Sequence, residues 1–226
     1  MSTVCLAGST GQVGSNMFTI LSKTPGCKTI VAYSRKELPL SEKSRPIISK
    51  DSSDWPSKYP QEADLFISAL GTSRARAGGF DNQRKIDYDF NLELAKAAKA
   101  AGTKVYTLIS SSGADSSSMF GYMKMKGELE DAVKALDFDR CVIVRPGLIV
   151  GPRENPGLAE FGLKKIAGLA DSLSPKLKDF WAQDAETIGK AAVKAGLDAV
   201  EGKEMAKFTI LAQADIVRLG KTEWKD

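Results

Sequence analysis

Gly8-Ser9-Thr10-Gly11-Gln12-Val13-Gly14 is the stretch on which the reading of this chain turns. Ahead of it, Thr3 to Ala7 reads as a short buried strand. Behind it, Val13, Met17, Ile20 and Leu21 recur at i, i+4, i+7 and i+8, one face of a helix that Pro25-Gly26 stops. Thr29 to Tyr33 is then a second strand, giving β–turn–α–β in the length a parallel unit requires. Glycines spaced G-x-x-G-x-x-G meet three needs at such a junction: a tight turn, backbone close to a pyrophosphate, and a helix packed closely on a strand. The helix start adds N–H donors and a partial positive charge. Residues 8–14 are therefore candidate cofactor contacts; the alternative is a tight turn that binds nothing.

The rest of the chain repeats the alternation. Strands are expected near Pro46 to Ser49, Asp64 to Leu70, Lys104 to Ser110, Arg140 to Arg145 and 207–211. Helices are expected at about 81–101, 119–137, 157–170 and 184–200, with a short one at the end. In the first of these helices Ile86, Phe90, Leu94, Ala97, Ala98 and Ala101 form one face, and Gly102 stops it. Short apolar strands alternating with helices imply an α/β fold, a doubly wound parallel sheet of Rossmann type covered on both faces. We read residues 1–226 as a single domain, with about 147–226 contributing a small substrate region.

Bulk properties narrow the chemistry. The 226 residues are 42% hydrophobic and 27% charged, ordinary globular values. A net charge of +4 without a polybasic run argues against nucleic acid. The chain has no histidine, which removes Ser-His-Asp and Cys-His catalysis and histidine metal sites. Cys5, Cys27 and Cys141 have neither disulfide nor zinc spacing, so a reducing compartment fits and no metal site is expected. No apolar run reaches membrane-spanning length, and the first strand leaves no room for a leader peptide, so any membrane attachment would be peripheral.

The second strand ends Tyr33-Ser34-Arg35-Lys36. A carboxylate there would suit the ribose hydroxyls of NAD; Arg35 and Lys36 instead suit the extra phosphate of NADP(H). The alternative is a solvated basic turn. Asp51 is a candidate for the adenine edge, with an ordinary loop aspartate as the alternative. Leu70 and Gly71, at the end of the fourth strand, would pass beside the cofactor ribose. The basic loop carrying Arg74 and Arg76 suits an acidic group or is a solvated mobile loop.

Proton transfer falls to Tyr122 and Lys126, which share a helix face at i, i+4 with Leu129, Val133 and Leu136 continuing it. Free tyrosine has a pKa of roughly 10. A nearby ammonium is expected to lower it, so the phenol exchanges a proton with a carbonyl or alcohol oxygen. A serine of the run Ser110-Ser111-Ser112 would hold that oxygen. Tyr and Lys at this spacing also occur by chance on amphipathic helices.

GSTGQVG at 8–14, ISSSGA at 109–114, YMKMK at 122–126, RPG at 145–147 and GPR at 151–153 together resemble the short-chain dehydrogenase/reductase superfamily in its extended or atypical branch. GTSRARAGGFDNQRKIDYDFN and FGYMKMKGELEDAVKALDFDR look like its fungal mitochondrial outer-membrane members, which are similar to the human Tat-interacting oxidoreductase. The resemblance implies a Rossmann fold, NADP(H), and Tyr122 as proton donor or acceptor with Lys126 holding it and the nicotinamide ribose. It implies Ser110 near the cofactor, Pro146 and Gly147 against the nicotinamide, and Ser112 as the catalytic serine with Ser111 as fallback. It also implies a mitochondrial location on the outer-membrane face. Two features depart from the superfamily pattern: Asp87 stands where an asparagine is frequent, and only ten positions separate Ser112 from Tyr122.

The expected activity is hydride transfer to or from a carbonyl or alcohol substrate. A dinucleotide-sensing protein with little turnover is the alternative. A nucleotide-sugar epimerase is disfavoured by the short region after residue 147. Monomer and homodimer both remain open.

Overall fold

The computed structural model describes residues 1–151 and 182–225. The expected helix near 157–170 lies outside the described residues, as do the last two positions of GPR. The first unit forms as the sequence predicts: β1 (Ser2–Ala7), α1 (Gln12–Lys23) and β2 (Cys27–Ser34). It is followed by β3 (Ile47–Ile48), β4 (Leu65–Ser68), β5 (Val105–Ile109), α5 (Gly121–Ala135) and β6 (Arg140–Val144). Between β4 and β5 lie α2 (Arg74–Ala77), α3 (Phe80–Arg84) and α4 (Asn91–Ala100). Beyond β6 come β7 (Leu148–Val150), β8 (Ala182–Asp184), α6 (Ala185–Val200), β9 (Phe208–Leu211) and α7 (Gln213–Val217).

The main sheet runs β3-β2-β1-β4-β5-β6-β9, and every pairing is parallel. Strand order reverses between β1 and β4, opening a crevice at their carboxyl ends, where doubly wound sheets bind ligands. Both sheet faces are covered, which is why the strands read as continuous apolar runs rather than alternating ones. Val4, Leu6, Leu65, Ile67, Val142 and Val144 face α1 and α6. Cys5, Phe66, Tyr106, Leu108 and Ile143, their neighbours in sequence, face α4 and α5. That second face carries a chain of ring contacts, Tyr33–Trp55, Tyr59–Phe66, Phe66–Tyr106 and Tyr106–Phe138, at centroid separations of 5.1–5.5 Å. All three cysteines are buried as free thiols, and burial pushes that of Cys27 up to about 11. They behave as small apolar side chains.

The expected helix 81–101 needs a correction. It is continuous in path, but Lys85–Phe90 is a π-helical turn between α3 and α4. One extra residue in that turn rotates the preceding segment relative to the one after it. Leu94 and Ala98 face inward as expected, whereas Ile86 is 38% exposed and Asp87, at 2%, takes the buried position. Gly102 ends the helix in the left-handed conformation, φ +84°. The two-stranded parallel sheet β7–β8 was not anticipated; it pairs residues more than thirty positions apart.

Candidate active site

The glycine turn is shaped by close approach of backbone to backbone. Gly8 has φ +82°, and a Cβ on it would stand 2.5 Å from Ala69 O. A Cβ on Gly14 would stand 2.0 Å from Gly8 O. No L side chain fits either position without displacing main chain. A Cβ on Gly11 would be 3.2 Å from Gly8 O, tight but less severe. Gly11 is the N-cap of α1, with no side chain capping it and no acid in the first turn. The first-turn N–H groups have no acceptor inside the helix. A cradle that side chains would fill, ending at an uncapped helix start beside the β1/β4 crevice, fits a dinucleotide pyrophosphate.

The remaining residues of the turn divide by role. Ser9 is buried and donates its hydroxyl to Tyr33 O at 2.7 Å, joining the turn to the end of β2. Thr10 is exposed, Val13 belongs to the core, and Gln12 Nε2 donates to Gly151 O at 3.2 Å. Arg35 and Lys36 are exposed just past β2, where Ser34 Oγ both accepts from Lys36 N and donates to Lys36 O. Asp51 caps a short 3-10 turn by accepting Ser53 N at 2.9 Å, and those Ser53 contacts hold its carboxyl below the usual range. Its placement explains an ordinary turn aspartate. Leu70 O accepts from Asn91 Nδ2 at 3.2 Å, and Gly71 lies beside the Asp87 carboxylate. Pro146 O accepts Ser112 N at 2.8 Å, and Gly147 N donates to the buried Gln183 at 2.7 Å.

The three serines point to three different places. Ser110 is buried and donates to Glu130. Ser112 Oγ accepts from Gln213 Nε2 at 2.8 Å. Ser111 is half-buried, its Oγ donates to Ser112 O at 3.3 Å, and it opposes the rise of the Tyr122 pKa. Ser110 and Ser112 are thus engaged by Glu130 and Gln213, and neither of those partners holds Ser111.

Tyr122 is the second residue of α5 and is 39% exposed. One turn on, Lys126 is 3% exposed, and its Nζ donates to Ile109 O at 3.1 Å. Burial lowers the Lys126 pKa, and the charges of Asp87 and Glu130 act against that lowering. Glu130, a further turn along, holds Arg145 through both carboxylate oxygens, at 3.1 and 3.2 Å from Nε. Asp87 Oδ1 accepts Thr72 N at 2.7 Å; burial raises its pKa against the pull of Lys126.

The direction expected for the phenol is reversed. Tyr122 is raised above the ordinary tyrosine value, first by burial and then by the Asp87 charge, with Ser111 opposing. Lys126 is buried, bonds main chain at Ile109 O, and is not among the groups that shift Tyr122. Raised in this way, Tyr122 is a phenol at neutral pH.

Sequence reasoning missed four polar residues around this site, of which Glu130, Asn91 and Gln183 are buried and Gln213 is half-buried. Glu130 is legible in hindsight as i+4 from Lys126, and Asn91 as i+4 from Asp87. Gln183 and Gln213 carry no local signal, since they reach the site from distant segments.

A family model described as HIM1 matches residues 60–177. Protein fmp52, mitochondrial, of Aspergillus clavatus is 47% identical over 97% of this chain and 99% of its own length. The chain belongs to the Fmp52 family. Among solved structures, the Bordetella bronchiseptica enzyme WbmH in complex with NAD+ superposes with a TM-score of 0.67 at 14% identity, covering 92% of this chain and 74% of its own. A short chain dehydrogenase family protein from Francisella tularensis superposes at 0.66 with 14% identity, covering 93% and 96%. At such identity the likeness establishes the fold alone, a Rossmann-like parallel sheet flanked by helices.

Proposed function

We propose that the chain is an NADP(H)-dependent oxidoreductase that reduces a carbonyl compound to an alcohol. The observation that supports this reading is a partly exposed Tyr122 one helical turn from the buried Lys126, in a parallel sheet whose first strand ends in the glycine cradle. The glycine turn would hold the pyrophosphate, Leu70 and Gly71 the ribose side, and Pro146 and Gly147 the nicotinamide. When bound, the reduced dinucleotide supplies a hydride to the carbonyl carbon. Tyr122 gives its proton to the carbonyl oxygen, Ser111 hydrogen-bonds that oxygen, and the exposed edge of Tyr122 lets solvent return the proton. Lys126 offsets the negative charge left on the phenolate.

Arg35 and Lys36 supply the preference for the extra phosphate. Removing one charge-assisted phosphate contact costs about 1.5–3 kcal/mol, or roughly 10- to 100-fold in affinity. Arg35→Ser is expected to weaken NADPH binding by that factor and leave NADH binding within about twofold. Titration with each dinucleotide checks this; an equal change for both would remove Arg35 from the phosphate site.

A sensing protein with vestigial chemistry is the second reading, favoured by Lys126 bonding Ile109 O between two carboxylates. Tight NADPH binding with no turnover on any carbonyl of a broad panel would support it. The relatives carry mitochondrial names, and we assign this chain to the mitochondrion, on the outer-membrane face by resemblance. No helix among the described residues is long and apolar enough to cross a membrane. Protease treatment of intact mitochondria checks the assignment.

A further inference from the structure

Glu130 is a carboxylate of α5, 3% exposed, that the reduction step does not use. Its two oxygens are taken up by two neighbouring strands. Ser110, just past the end of β5, donates its hydroxyl to Oε1. Arg145, just past the end of β6, donates Nε to Oε1 at 3.1 Å and to Oε2 at 3.2 Å, and Nη2 to Oε2. β5 and β6 pair in parallel with Ile109 opposite Val144, so Ser110 and Arg145 form the next rung of that ladder. Ser110 N donates to Val144 O at 2.8 Å and carries the pairing one residue beyond the strands. One turn back along α5, Lys126 Nζ holds Ile109 O at 3.1 Å. α5 thus grips two consecutive residues of β5, and through Glu130 it grips the end of β6 as well.

The chain runs from these two gripped ends straight into two loops, Ser111-Ser112 after β5 and Pro146-Gly147 after β6. A hydrogen bond from Ser112 N to Pro146 O, 2.8 Å, joins them. A carboxylate taken out of water has to be paired and hydrogen-bonded. Such a pair adds little net stability over an apolar replacement, but the arginine fork meets a carboxylate in one geometry. We propose that Glu130 is a positioning residue for the nicotinamide half of the dinucleotide. By locking Ser110 to Arg145 it fixes where both loops begin. The pyrophosphate half is held separately, at the glycine turn between β1 and α1. The inference rests on the dinucleotide reading above, with Pro146 and Gly147 against the nicotinamide.

Binding rather than turnover separates the two halves. The full-length chain is titrated by calorimetry with NADPH and with 2′-phospho-ADP-ribose, the same molecule without its nicotinamide. Glu130→Gln keeps the volume and one acceptor oxygen and removes the charge. It is expected to weaken NADPH by about tenfold and to leave 2′-phospho-ADP-ribose within about twofold. Ser110→Ala keeps the Glu130–Arg145 ion pair and loses one bond of the clamp. It is expected to weaken NADPH by about threefold with the same selectivity, and it decides the matter if Glu130→Gln does not fold. Glu128→Gln breaks a different ion pair of α5, made with Arg84 at 2.6 Å, and is expected to leave both affinities in place. A merely structural role for Glu130 would weaken both ligands alike. Equal losses for the two ligands, no loss for either, or the same NADPH-selective loss in Glu128→Gln would overturn the proposal. An unsubstituted chain that binds neither ligand would instead end the dinucleotide reading itself.

Discussion

Tyr122→Phe is expected to slow carbonyl reduction by about 10²- to 10⁴-fold, the usual contribution of a positioned general acid. The ring is retained, so packing at the start of α5 is unchanged. The hydroxyl lies on a partly exposed side chain, and the half-buried Ser111 already donates its own hydroxyl to Ser112 O at 3.3 Å. Stability is therefore expected to change by less than about 1 kcal/mol. Affinity for NADPH should stay within about threefold, because the phenol acts on the reacting oxygen rather than the phosphates. Steady-state rates paired with a dinucleotide titration read both quantities. A large loss of rate at constant affinity is the signature of a group that acts in the transition state. Equal losses in both would make Tyr122 a binding residue.

The second large effect is expected at Gly14. An alanine there drives Cβ to within 2.0 Å of Gly8 O and 2.7 Å of Gly8 C, so α1 must retreat from the turn. Overpacking against main chain costs roughly 2–4 kcal/mol, which for a chain of this size lowers Tm by about 5–15 °C. The first-turn N–H groups of α1 move with the helix, and NADPH affinity is expected to fall at least about 100-fold. Gly11→Ala is the informative comparison, because its Cβ would meet Gly8 O at 3.2 Å, which a small shift relieves. It should leave Tm nearly unchanged yet still weaken binding by narrowing the cradle. Thermal melts and fluorescence titration of both variants check the pair. If Gly14→Ala bound NADPH as the native chain does, the turn would be a packing device alone.

Much of this arrangement was legible in the residues. Val13, Met17, Ile20 and Leu21 announce α1, and the apolar runs of β1, β4 and β5 announce strands buried on both faces. Both signals are local and periodic. The β7–β8 pair was not legible, because three-residue strands carry no period and their partners are far apart in sequence. The π turn at Lys85–Phe90 was hidden for a related reason: regular helical spacing puts Ile86 inward, and only packing against α5 turns Asp87 there instead.

The site divides the same way. Tyr122 and Lys126 are visible as an i, i+4 pair, and the glycine turn by its spacing. The serines are not separable in sequence, since three consecutive identical residues at a strand end take three different partners, Glu130, Ser112 O and Gln213. The sign of the Tyr122 shift departs from the expectation because burial comes first and the Asp87 charge second, and the i, i+4 spacing of Tyr122 and Lys126 carries neither.

Transfer of label from dinucleotide to product tests the central claim most directly. The full-length chain is mixed with NADPH carrying deuterium at C4 and a panel of carbonyl compounds, and the alcohols are analysed by mass spectrometry. Deuterium on the carbinol carbon of at least one product, falling by about 10²-fold or more with Tyr122→Phe, is the expected result. Bound NADPH with no label in any alcohol, or label transfer indifferent to Tyr122, would contradict the account.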